Sequence, residues 1–141
     1  MGAAMVSPVE RPGPAQRQES SVYVPPGWPG RVRPPGTPDW ERTATEFLLD
    51  CCPADYRRYR LLRRHPVVLA MFATVFVEAQ VAASRDGLAG VRVGLADFVE
   101  PEVIGEAVEV WSQQQAWLAR LRREVGMVTE ALRGRQFVRR L

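Results

Sequence analysis

The sequence predicts an all-α protein: two short helices packed on a long antiparallel helical hairpin, preceded by a Pro-rich arm. Three observations carry this. Nine of the twelve prolines and five of the eleven glycines fall within residues 1–38, which confines regular structure to the rest of the chain. The remaining prolines, Pro53, Pro66 and Pro101, stand where helices can begin. After Pro66, and again after Pro101, apolar residues recur in steps of three and four, the stripe of a coiled-coil seam.

Within the arm, "VPPGWPGRVRPPGTPDWE" (24–41) says PPG-x-P twice, at Pro25–Pro29 and Pro34–Pro38. Both repeats contain P-x-x-P, the pattern of a polyproline ligand. Pro38, however, is needed as a helix start, and Tyr23, Trp28 and Val32 are costly to leave in water. We therefore expect residues 22–37 to lie on the protein's own helices, with apolar surface at Trp117 to meet them. Residues 1–21, including "SPVERPGPAQRQESS", are expected to form a disordered leader.

Thr37-Pro38-Asp39 reads as N-cap, first helical residue and first-turn acid. Trp40, Ala44, Phe47, Leu48 and Cys51 then share one face, giving a helix over 38–51. Pro53 opens a second, 53–64, with "PADYRRYRLLRR". His65-Pro66 repeats the device, because a residue before proline is driven out of the helical region. A third helix is predicted over 66–99 and a fourth over 101–133, followed by a basic tail, 134–141. In the third, positions 67, 70, 74, 77, 81, 84, 88, 91, 95 and 98 form the stripe. In the fourth, 104, 107, 111, 114, 118, 121, 125, 128 and 132 do so, with Gln114 as the one break. Leu69, Phe72, Ala73 and Phe76 form a further apolar face for the first two helices to cover.

The weak stretch is "RDGLAGVRVGL", whose Gly87, Gly90 and Gly94 each cost a helix about 1 kcal/mol relative to alanine. Asp86-Gly87 also reads as a turn. The register survives through Leu88, Val91 and Leu95, which favours a continuous helix whose small residues let another helix approach closely.

The run from "VPPGWP" through "VRPPGTPDWE" and "LLDCCPADYR" to "LRRHPVVLA" resembles small helical proteins of actinobacteria, over residues 24–80. The resemblance implies a bacterial source and no activity. The composition agrees: all 19 basic residues are arginine, there is no Lys or Asn, and Ile104 is the single isoleucine, a bias of GC-rich coding. Arginine in place of lysine therefore carries little functional weight.

Charge is unevenly laid out. Arg57, Arg58, Arg60, Arg63 and Arg64 stand against Asp55 alone in residues 53–65, and Arg133, Arg135, Arg139 and Arg140 crowd the tail. An antiparallel hairpin brings these segments to one end and Asp97, Glu100, Glu102 and Glu106 to the other. With Tyr56 and Tyr59 interleaved, the nine arginines are candidates for binding a nucleic acid or other polyanion. A helix-turn-helix is disfavoured, since Pro53 sits in the turn and no Asn or Lys is available to read bases.

Catalytic chemistry has little support. First-turn acids are explained by the helix dipole. His65 reads as a cap or packed residue, and no Ser or Cys is placed by motif to use it. Cys51, Cys52 and His65 cannot assemble a metal site, and neighbours on a helix diverge by about 100°. No catalytic, cofactor or metal residue is assigned. The chain's start lacks the n-region and h-region of a secretory signal, and the apolar run Val67–Val77 is about half the ~20 residues a membrane span needs. These features predict a cytoplasmic, non-enzymatic helical interaction or regulatory protein. It is expected to self-associate or bind a protein partner, with Trp28, Trp117, Gly87, Gly90 and Gly94 as the candidate surface. The alternative is polyanion binding through the arginines.

Overall fold

The computed structural model describes residues 22–139, so the expected leader over 1–21, and Arg140, lie outside the described residues. Four α-helices follow the arm: α1 (Trp40–Asp50), α2 (Arg60–Arg64), α3 (Pro66–Leu95) and α4 (Pro101–Leu132). A 3-10 turn, Ala54–Arg58, separates α1 from α2. The long pair α3 and α4 forms the hairpin, and the described residues contain no strand.

The repeated Pro-Pro-Gly of the arm is a repeated turn. Trp28 N–H bonds to Pro25 O at 3.1 Å and Thr37 N–H to Pro34 O at 3.2 Å. Between them Gly27 and Gly36 hold φ of 83° and 85°. Proline second and positive-φ glycine third are the type II requirements. Each turn throws the following residue inward: Trp28 and Thr37 are buried, as is Val32 between them. The Trp28 indole N–H closes this segment on Val32 O at 2.8 Å. The arm is thus part of the core.

The start of α1 differs from the predicted cap. Thr37 has spent its N–H on the turn, and its hydroxyl donates to Pro34 O at 2.6 Å, so it caps nothing. Asp39 takes up the reversal instead, with φ 65°, and the helix begins at Trp40. Thr43 then fastens the arm: its hydroxyl oxygen accepts from Arg33 N–H at 2.9 Å while its proton goes to Trp40 O.

The single helix predicted over 53–64 is broken. Residues 54–58 are 3-10, Tyr59 is extended (φ −87°, ψ 109°), and only then does α2 form. The break has a geometric reason. In a continuous helix Arg57 and Arg63, six residues apart, would point about 120° apart. Here both reach Glu46 on α1, each at 3.1 Å.

α3 runs through all three glycines and stops at Leu95, four residues before the predicted end; a turn closed on Leu95 O leads to Pro101. Its seam is narrower than the predicted stripe. Ala70, Val77, Ser84 and Val91, seven apart, are buried on α3, and Leu118, Leu121, Val125 and Val128 are buried on α4. Val67 and Phe98, predicted in the seam, are exposed. The core fills the open half of the hairpin, where α1 and the arm add Phe47, Leu48, Leu49, Val32 and Trp28. The half carrying the connection projects beyond it as two helices alone.

Candidate interaction surface

The arginine cluster is largely absorbed into the fold. Arg57 pairs with Glu46 and Asp50, Arg63 with Glu46, and Arg31 from the arm with Asp50. These pairs bolt the 3-10 turn, α2 and the arm to the end of α1. The guanidinium groups of Arg57 and Arg63 hold the Glu46 carboxyl below its ordinary range. In the tail, Arg135 pairs with Glu130 and stacks over Phe137, and Arg139 lies over Tyr23. Arg58 lies over the Tyr59 ring. Arg60, Arg64 and Arg133 are exposed and make no ion pair among the described residues. Arg57 and Arg63 are thus engaged by α1, and Arg135 and Arg139 by Glu130 and the rings of Phe137 and Tyr23.

Two of the predicted partner-surface residues are not available. Trp28 is buried, with its ring edge-on to Phe137 at 6.1 Å. Gly87 is covered by Trp111, since a Cβ there would lie 2.6 Å from the indole. Gly90 and Gly94 are open. Trp117 is 50% exposed. The arm faces α4 across a cleft lined by Pro26, Gly27, Gly30, Arg120, Glu124 and Met127, which starts one turn beyond Trp117.

An uncovered apolar surface lies on α3, away from α4. Met71 is 62% exposed, Val75 61%, Val67 44% and Phe72 43%. Tyr56 leans on one edge, its ring against Phe72 at 6.1 Å, and leaves a groove of about 370 Å³ lined also by Met71, Val75, Phe76 and Ala79. Of the face expected to be covered, Leu69 and Ala73 are buried and Phe76 is partly so, while Phe72 stays 43% exposed. Between Val67 and Ala83 the one charge on α3 is Glu78, one turn past Val75, and Arg122 of α4 meets it at 2.6 Å; Asp86 stands three turns past Val75 on the same side. Sequence stepping could not have found this face, because residues 67–77 are apolar on every side of the helix. Over its thirty residues α3 is also long and apolar enough, by length and composition, to cross a bilayer, which the eleven-residue run understated.

Cys51 and Cys52 are buried free thiols. Burial, reinforced by its neighbour Cys52, pushes Cys51 up to about 12, and burial raises Cys52 as well. Cys51 donates to Phe47 O at 3.2 Å and offers no thiolate at neutral pH. Among the described residues no group of three His, Cys, Asp or Glu is placed to hold a metal ion. No family model matches the chain, and no curated protein or solved structure does either.

Proposed function

We propose that this is a non-enzymatic helical interaction protein that self-associates. The observation carrying the proposal is the apolar outer side of α3 between Val67 and Val77, where Met71 and Val75 are more than half exposed while the other side of the same helix is packed as a core. Surface of that kind on an otherwise charged protein marks an interaction site. Light scattering coupled to gel filtration tests it: the account expects a mass above 15.8 kDa that falls on dilution. A constant monomer mass at every concentration would remove the proposal.

Polyanion binding is the second reading, supported by Arg60, Arg64 and Arg133, which are exposed and make no ion pair among the described residues, and by the exposed ring of Tyr59 next to Arg60 in the chain. The pairs made by Arg57, Arg63 and Arg135 weigh against it, since binding phosphates would cost those contacts. Titrating a labelled duplex or single strand at rising salt tests this reading. It requires salt-sensitive affinity that drops when Arg60, Arg64 and Arg133 are changed to Gln.

A further inference from the structure

We infer that the partner on α3 is α3 of a second copy, laid antiparallel with the two-fold axis at Val75. This rests on the self-association reading and specifies its surface. A two-fold interface must be self-complementary, each residue meeting its symmetry mate across the axis. With the axis at Val75, residue 75 − n faces 75 + n of the other copy, and helical geometry places such pairs at mirror angles about the outward direction.

The sequence of α3 fits that arrangement in bulk and in charge. Over residues 71–83 the outward residues run from large to small. Met71 meets Ala79 of the other copy and Val75 meets Val75. The largest protrusion, Met71, thus faces a low place, as ridges in grooves require. Phe72 comes over the Glu78–Arg122 pair, whose guanidinium can lie on the ring. Beyond the apolar stretch stands Asp86, and the same symmetry carries it to the end where Arg64 is exposed without an ion pair. A parallel pair would instead set large against large, small against small, and Asp86 beside Asp86.

At the exposures observed, Met71, Val75, Val67 and Phe72 present roughly 400 Å² per copy, so the dimer is a small interface of the kind that dissociates on dilution. A bilayer is the competing occupant, but it would not require the large-to-small gradient or an acid and a base at opposite ends of the stretch.

Site-directed disulfide trapping tests the pairing. Under mild oxidation Val75→Cys should give a covalent dimer, because only at the axis do identical residues face each other. Gly90→Cys, equally open on α3, should not. Cys51 and Cys52 are buried and provide the silent background. Val75→Arg should shift the non-covalent dimer to monomer mass without loss of helicity, since the residue is exposed. Association that survives Val75→Arg, or trapping at residue 90 and not at 75, overturns this pairing while leaving self-association standing. A strict monomer overturns both. Flotation with phosphatidylcholine vesicles that Val75→Arg abolishes would assign the face to a membrane and overturn the dimer.

Discussion

Trp111 of α4 lies directly over Gly87 of α3, so that a Cβ on residue 87 would come within 2.6 Å of Cζ2 and within 3 Å of two further ring atoms. The hairpin's long seam is closed here by the largest side chain meeting the smallest. Gly87→Ala should therefore destabilise by about 1–3 kcal/mol through overpacking, against which helix propensity returns only about 1 kcal/mol. Gly90→Ala and Gly94→Ala meet open space and should stabilise by up to about 1 kcal/mol. Thermal melts followed by circular dichroism decide it: the account requires opposite signs, and three variants shifting together would refute the contact.

The arm is expected to be a structural element whose removal is costly. Trp28 is buried and its N–H is satisfied by Val32 O. Trp28→Ala should cost about 3–5 kcal/mol, and Trp28→Phe less. Cutting at residue 36 should lower the melting temperature. An unchanged melting temperature would return the Pro-Pro-Gly repeats to the role of a ligand for another protein.

Alkaline pH should unfold the protein through its cysteines. Cys51 has its folded value raised to about 12 from an ordinary 9.0, so the folded state holds a proton that the unfolded state releases between those values. The stabilisation is present in full below pH 9 and is lost as pH rises toward 12. Urea titrations should show a decline over that window that is smaller in Cys51→Ala. Alkylation of native protein at pH 8 should be slow at both cysteines and become rapid in denaturant; fast native labelling would contradict their burial.

In acid the relevant group is Glu46, held below its usual value first by Arg57 and then by Arg63. Its contribution is complete above the unfolded value near 4.5 and is lost as pH falls through the folded value. The pairs are partly exposed, so the effect should stay within about 1 kcal/mol. Glu46→Gln should flatten the stability profile between pH 5 and 3, and a profile identical to wild type would show that the pairs contribute nothing.

The hairpin was legible because Pro66 and Pro101 can only start helices and because the seam repeats every seven residues. The arm was legible in its burial but not in its position. Apolar residues say that Trp28 must be covered, yet only three-dimensional packing decides between Met127 and Trp117. The break at Tyr59 was not legible, since no residue within 53–64 marks it; it lets two arginines converge on Glu46 of another helix. The outer face of α3 was hidden for a related reason. Where a helix is apolar on all sides, periodicity does not single out the side left open, and Met71 and Val75 belong neither to the predicted stripe nor to the face of Leu69, Phe72, Ala73 and Phe76.

Self-association through α3 is tested most directly by sedimentation equilibrium of the unmodified chain beside Val75→Arg. The account predicts that the wild type fits a monomer–dimer equilibrium above its 15.8 kDa monomer mass, and that Val75→Arg weakens it at least tenfold while remaining folded. Equal masses for the two proteins at every concentration would contradict it.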